Sequence, residues 1–283
     1  MPSCRSSGKL ERVTSTVLAP AKPIVWWGVV PALLVAASAT LLFAVQTPLG
    51  YATLAAGLLV SVLIDRALAR DLLLIALGLL IISTISLEAD ISYGNMLLMG
   101  SVLGSAVAVP YLISRFVYRD HAVRFPLRRG QRWSTLERSW LVIVLALGWA
   151  LLPFYFIRSG VYLNWPAVEA PDEIARLFVG VNAVGIWDEL FFICTVFTLL
   201  RRHFAMPTAN VLQAIVFVSF LWELGYQAWG PLLTIPFALV QGWIFSKTKS
   251  LLYVIAVHLL FDLVVFLVLV HAHHPHFLPI FVY

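Results

Sequence analysis

The 283-residue sequence has few charged residues: they make up 12% of the chain, whereas hydrophobic residues make up 61%. An ordinary soluble domain has about 25% charged residues, so this composition excludes a typical soluble protein. Cysteine is also scarce. Cys4 lies in the N-terminal segment and Cys194 in an apolar run, so a disulfide between them is not expected. The sequence predicts a polytopic membrane protein without a disulfide framework.

Long apolar runs recur along the chain, and a transmembrane helix needs about 20 such residues. Hydropathy predicts nine spans, at roughly 24–46, 48–64, 72–87, 95–114, 139–157, 175–200, 207–227, 230–246 and 250–271. The predicted fold is therefore an all-α bundle of transmembrane helices. No low-complexity linker and no internal repeat interrupts it.

The basic residues fall on one side of this predicted bundle. With a cytoplasmic N-terminus, all 19 Lys and Arg residues except Arg158 and Arg176 fall in cytoplasmic segments. This distribution follows the positive-inside rule and predicts an external C-terminus. The net charge of +5 is then explained by anionic membrane lipids, and no nucleic-acid partner is expected. We expect an integral protein of a bacterial inner (cytoplasmic) membrane.

The predicted topology divides the chain into four parts. A cytoplasmic tail, 1–23, precedes accessory helices and a basic loop, 24–138. A transmembrane core, 139–271, is followed by an external tail, 272–283.

Four acidic residues lie inside the predicted spans: Asp188, Glu189, Glu223 and Asp262. A charged carboxylate at the centre of a transmembrane helix costs about 2.5–3.5 kcal/mol even on the lenient insertion scale, so the four together indicate a polar interior site. His258 precedes Asp262 by four residues, which places both on one helical face. Asp188 and Glu189 are adjacent and point in different directions, so we expect one working group and one supporting group.

Several roles are compatible with such a cluster. A carboxylate can activate water while a histidine polarises a carbonyl group, which gives hydrolysis. Acids and histidines also carry protons in transporters, and polar side chains can simply join helices. A hard cation could be held by a set comprising Asp188, Glu223, His258 and Asp262. No second histidine lies in the interior of a predicted span, which disfavours a zinc peptidase, and we expect no metal or other cofactor.

Two stretches, "WDELFFICTVFTLLRR" and "GWIFSKTKSLLYVIAVHLLFD", resemble the intramembrane CAAX-protease and bacteriocin-processing (CPBP) family. The resemblance covers about residues 170 to 270. The family pattern is a Glu-Glu pair followed after three residues by Arg, then Phe-x-x-x-His, then His-x-x-x-Asn or Asp. His258 and Asp262 match the third motif, and Glu189 matches the second Glu.

The chain departs from this pattern in the first two motifs. Asp188 stands in place of the first Glu, and Ile193 in place of the Arg. Glu223 stands near the position of the second-motif His, although Phe220 precedes it by three residues rather than four. Depth is a further constraint: at 1.5 Å per residue, Glu223 lies about 24 Å from Pro207, whereas His258 lies about 12 Å from Ser250. Convergence of Glu223 with His258 would require the seventh predicted helix to begin later, to tilt strongly or to break near Gly225.

The resemblance implies a metal-independent endopeptidase that cleaves a membrane-associated peptide or protein. Asp188 would activate water, His258 and Asp262 would bind and polarise the scissile carbonyl, and Glu189 and Glu223 would orient the site. Two alternatives stay open: a non-catalytic member of the family that binds or protects a membrane partner, and a proton-coupled transporter.

Overall fold

The structure, a computed structural model, describes residues 26–127, 132–276 and 279–281. Within these residues it is all-helical, which confirms the predicted class. The α-helices are α1 (Val29–Ala39), α2 (Leu49–Ile64), α3 (Arg66–Ile82), α4 (Tyr93–Leu112), α5 (Thr135–Arg158), α6 (Pro171–Asp188), α7 (Thr198–Arg201), α8 (Met206–Leu224), α9 (Pro231–Thr248) and α10 (Leu251–His273). The predicted tail 1–23 lies outside the described residues, as do parts of the basic loop and of the external tail.

Among the described residues, five helices are long and apolar enough to cross a membrane. They are Tyr93–Val117, Thr135–Arg158, Pro171–Arg201, Met206–Leu224 and Leu251–His273. Two shorter apolar helices, Val29–Ala44 and Leu49–Ile64, precede them. The chain is thus an integral membrane protein, whereas the count of nine spans stays a prediction.

The longest of these helices is Pro171–Arg201, in which a π-helical segment, Glu189–Phe197, joins α6 to α7. Pro171 starts the helix at a position where its missing N–H has no intrahelical partner anyway. The Glu173 carboxylate accepts a hydrogen bond from the Ala170 N–H at 3.1 Å, which satisfies one of the free donors at this end. Trp187 donates its indole N–H to the Leu103 carbonyl at 2.6 Å and so ties the middle of the helix to α4. This contact fixes the part of the helix that carries Asp188 and Glu189.

Two end faces of the bundle can be distinguished. One is formed by residues 83–92, 159–170 and 225–230, and we call it the acidic face because Glu88, Asp90 and Glu169 lie exposed in it. Hydrogen bonds join its loops: Asn164 Nδ2 donates to the Gly225 carbonyl at 2.9 Å, and the Tyr155 hydroxyl donates to the Gln227 carbonyl at 2.8 Å.

The opposite end is formed by residues 118–127, 132–134, 202–205 and 249–250. We call it the basic face because it carries most of the arginines of the described loops. Arg202 donates to Asp71 and to Asp120, both at 2.8 Å, and His203 Nε2 lies 2.6 Å from Asp71. Partial burial tends to raise the pKa of Asp120, but hydrogen bonds from the Ala122 N–H, the Ser114 hydroxyl and Arg202 hold it below its ordinary value. This network joins the accessory helices to the end of the long helix.

The two faces give the predicted orientation a direct test. Reporter fusions after Trp165, on the acidic face, and after Phe204, on the basic face, should report opposite sides of the membrane. The positive-inside rule places the Phe204 fusion in the cytoplasm. Alkaline phosphatase should therefore be active only when fused after Trp165, and the reverse result would invert the topology.

Candidate functional site

Four of the five predicted site residues lie together in the middle of the bundle. Asp188 and Glu189 come from the junction between α6 and the π-helical segment, and His258 and Asp262 come from α10. Their exposed fractions are 2%, 0%, 4% and 4%. The spacing of four residues does place His258 and Asp262 on one face, because Nε2 of His258 lies 3.8 Å from Oδ1 of Asp262.

His258 lies at the centre of this cluster. Its Nδ1 lies 2.7 Å from Oε1 of Glu189, which is hydrogen-bonding distance. Its Nε2 faces Oδ2 of Asp188 at 3.7 Å, beyond direct hydrogen-bonding distance. Glu189 therefore fixes the orientation of the imidazole ring, and Nε2 is directed at the two aspartates. The adjacent acids have the two different environments that the sequence predicts.

Gln241 of α9 is a fifth member of the site, which sequence reasoning missed. Its Nε2 donates to Oε1 of Glu189 at 2.7 Å and to the Val254 carbonyl at 3.2 Å. It is completely buried. A fixed amide donor thus holds the carboxylate that in turn holds His258. The available signal was a glutamine in an apolar helix, directly before the Gly242-Trp243 pair.

Only a glycine fits beside the two α10 side chains at position 185. A Cβ atom there would lie 1.9 Å from Oδ2 of Asp262 and 3.2 Å from Cδ2 of His258. Gly185 precedes Asp188 by three residues, so the site face of α6 must pass very close to α10. This close approach brings the acids of the two helices together.

A cavity of about 310 Å³ borders the cluster. Asp188, His258 and Asp262 lie at its inner end, and Ala89, Asp90 and Ile91 of the acidic face lie at its mouth. Oδ1 of Asp188 and Oδ2 of Asp262 have no hydrogen-bond partner within the described part of the chain. Both oxygens are buried, and the two residues that carry them line an otherwise apolar cavity.

The comparison with protein families finds this same region. Residues 170–264 match the model of the Rce1-like type II CAAX prenyl endopeptidases. The match confirms the resemblance seen in the sequence, and it includes every predicted site residue but not helices α1–α5. Curated proteins and solved structures gave no match.

Glu223 does not join the other four residues. It lies in the last turn of α8 and is half-buried, and Oε1 accepts a hydrogen bond from the Leu87 N–H at 3.4 Å. The helix ends directly after it, at Gly225 with a φ of 126°. The depth difference seen in the sequence is thus preserved, because α8 has no irregularity that would carry Glu223 back to the level of His258.

The residues that α8 presents to the cavity are Leu221 and Leu224, and Leu221 is buried next to the site. It follows Phe217 by four residues, the spacing of Phe and His in the second family motif. Ile193, in place of the Arg, is also buried. Compared with the pattern of the CAAX-protease family, the site thus has apolar groups where an imidazole and a guanidinium are usual.

The predicted set of metal ligands, Asp188, Glu223, His258 and Asp262, is not assembled, because Glu223 lies apart from the other three. In the part of the chain that the structure describes, no group of three or more His, Cys, Asp or Glu side chains is arranged to hold a metal ion. The expectation of a cofactor-free protein stays a prediction.

Proposed function

We propose that the protein is an intramembrane endopeptidase that hydrolyses a peptide bond with a carboxylate-activated water. The observation that carries this proposal is that Asp188, His258 and Asp262 line one cavity together, with Nε2 of His258 directed at the two aspartates. Buried acceptors normally have partners, so the unpartnered oxygens in this buried carboxylate cluster are compatible with a water or ligand between its side chains. The match to the Rce1-like family supports the same reaction.

In this mechanism Asp188 removes a proton from a water molecule, and the water oxygen attacks the carbonyl carbon of the substrate. The imidazolium of His258 donates a hydrogen bond from Nε2–H to the carbonyl oxygen and stabilises the negative charge that develops on this oxygen. Oδ2 of Asp188 and Nε2 of His258 lie 3.7 Å apart and so are not hydrogen-bonded to each other. Both groups therefore remain available to the water and the substrate. The proton then passes from Asp188 to the leaving nitrogen, the C–N bond breaks, and a carboxylic acid and an amine are released.

The supporting residues act through His258. Glu189 holds Nδ1 and stabilises the imidazolium, and Gln241 holds Glu189. Asp262 accepts a hydrogen bond from the N–H of the scissile amide through its carboxylate. In this proposal Gln241, rather than Glu223, is the second orienting residue, because Glu223 hydrogen-bonds Leu87 instead.

The substrate class follows from the position of the site within apolar helices. A site between transmembrane segments favours polypeptides that are already in the membrane, so we propose a membrane-associated peptide or protein as substrate. We also propose that the protein resides in a bacterial inner membrane, on the distribution of its basic residues.

The test is hydrolysis by purified protein in proteoliposomes. A library of hydrophobic peptides is incubated with the protein in water enriched in ¹⁸O, and products are identified by mass spectrometry. Cleavage should yield paired fragments, and each new carboxyl terminus should carry one ¹⁸O atom, because the attacking oxygen comes from water. Unlabelled termini would exclude attack by water, and intact peptides throughout would overturn the assignment as a peptidase.

A second candidate function is a non-catalytic membrane protein that binds a polypeptide partner. Leu221 and Ile193 favour it, because apolar groups stand where two cationic or hydrogen-bonding side chains of the family would act. This candidate predicts that hydrophobic peptides bind in the cavity and are recovered intact, and that Asp188→Asn does not weaken their binding.

A further inference from the structure

The wall of the cavity between α4 and α6 is open. Gly100 and Gly104 of α4 and Gly180 of α6 line it, and a Cβ atom built at each of them would meet no other atom within 4 Å. Gly104 and the neighbouring wall residue Ala183 are exposed at the surface. The cavity therefore communicates sideways with the surroundings of the bundle, along a groove with small side chains on both walls.

The groove has a definite direction. At 1.5 Å per residue, it descends about 16 Å along α6, from Leu177 to Asp188. Asp188 and Asp262, each with one unpartnered carboxylate oxygen, line its inner end, and both residues are more than nine-tenths buried. The small-residue walls and the free acceptors are independent features that belong to one cavity.

Aromatic residues close the site toward the basic face. Phe191, Phe192 and Phe217 are each at most 1% exposed. The rings of Phe192 and Phe217 stack at 4.6 Å between centroids. A polypeptide could reach Asp188 from this side only by displacing the best-packed part of the core.

A second groove, of about 280 Å³ between α5 and α9, is also separated from the reacting groups. The stacked rings of Phe237 and Phe261, 4.8 Å apart, stand between this groove and His258. Phe237 packs against the imidazole with its centroid 4.9 Å away. Of these two grooves, the one between α4 and α6 leads to the carboxylates without an intervening side chain.

The mouth of the open groove is negatively charged. Glu88 and Asp90 are exposed beside it, and neither forms an ion pair within the described ranges. Arg176, the nearest arginine on α6, is already paired with Asp172 at 2.9 Å and lies over the Tyr93 ring. A positively charged residue on an incoming chain would therefore meet uncompensated carboxylates.

We infer that the substrate is an extended apolar polypeptide segment with small side chains, which enters between α4 and α6 from the acidic face and carries a basic residue at its outer end. This inference deepens the proposed function and rests on it for cleavage, whereas occupancy of the groove is separable from cleavage. Entry from the acidic face distinguishes this protein from an enzyme that receives its substrate at the basic face.

The experiment uses a synthetic probe: an alanine-rich peptide with two lysines at one end and a diazirine-bearing residue in its middle. The probe is photo-crosslinked to the protein in proteoliposomes, and the labelled residues are mapped by mass spectrometry. Wild-type protein and Asp188→Asn are used in parallel, because the variant keeps the probe intact. We expect labels on residues of α4 and α6 that line the groove, with both proteins.

Filling the groove should block the probe. In Gly104→Leu/Gly180→Leu the new side chains enter open space, so the fold should be retained, but the groove is narrowed from both walls. We expect labelling to fall about tenfold, the equivalent of ~1.4 kcal/mol in binding. The matched control is Gly94→Leu on α4, which is also in open space but does not line the cavity, and its labelling should equal that of the wild type. Thermal unfolding of all variants checks that the fold is retained.

Other outcomes would overturn the inference. Labels on the α5–α9 groove or at the basic face would identify a different route, and absence of any label would mean that the cavity takes no such segment. Equal labelling by a probe with two glutamates in place of the lysines would refute the charge preference. If the predicted labels appear but no peptide is ever cleaved, the entry route stands and the peptidase assignment fails.

Discussion

Asp188→Asn should reduce the rate of peptide cleavage by about 10²–10⁴-fold, the usual contribution of a general base. Asparagine keeps the shape of the side chain but has no carboxylate to accept a proton from water. The measurement is kcat/KM in proteoliposomes for whichever peptide the library assay identifies. Binding of that peptide should change little, because Asp262 and the cavity walls are unaltered.

Glu223→Gln is the matched control, since it makes the same acid-to-amide change in the same half of the bundle. Glu223 accepts a hydrogen bond from Leu87 and contacts none of the other four predicted site residues. The Glu223→Gln variant should therefore cleave the peptide at a rate near that of the wild type. Full activity of Asp188→Asn would remove Asp188 as the base. Equal losses in both variants would restore Glu223 to the site.

The sequence predicts the centre of this site because apolar surroundings make its charged residues conspicuous. Asp188, Glu189, His258 and Asp262 are each expensive to bury, and the spacing within each helix fixes which of them share a face. The structure brings these four together. Glu223 has the same chemical character, and only its depth along α8 separates it from them. Position along the helix axis was in this case more informative than residue type.

The missed parts of the site consist of uncharged residues. Gln241 carries no charge and so does not stand out as an expensive residue, although its two hydrogen bonds hold Glu189 in place. Leu221 is an ordinary apolar residue in an apolar helix, and its position at the cavity follows from the rotation of α8 against its neighbours. Such rotations depend on the packing of several helices at once, which hydropathy along a single chain does not encode.

The number of transmembrane spans is likewise not determined by hydropathy alone. Hydropathy identifies apolar segments, but α3 contains Arg66, Arg70 and Asp71 within its first two turns. Of these, Asp71 is buried and paired with residues of the long helix's end rather than exposed to lipid. Whether such a helix crosses the membrane depends on its partners as well as on its composition.

Asp71→Asn should lower the free energy of unfolding by about 3 kcal/mol, the lower end of the usual cost of breaking a buried ion pair. Asp71 accepts from Arg202 through Oδ1 and lies 2.6 Å from His203 through Oδ2. Replacing the carboxylate leaves the buried His203 facing an amide and removes the charge that compensates Arg202. The lower end applies because the Arg202 side chain is 37% exposed and keeps part of its hydration.

Asp120→Asn separates this effect from the general loss of a negative charge near Arg202. Asp120 contacts Arg202 at the same distance, 2.8 Å, but its side chain is 28% exposed, so the loss should be below about 1 kcal/mol. Thermal unfolding in detergent, followed by size-exclusion of the heated samples, measures both variants. Because Asp71 belongs to α3 and Arg202 follows α7, a large loss only for Asp71→Asn would show that this buried pair holds the accessory helices on the helix that carries Asp188. Equal losses would contradict that role and leave the contact of α4 with the long helix, which includes the Trp187–Leu103 hydrogen bond, as the main connection.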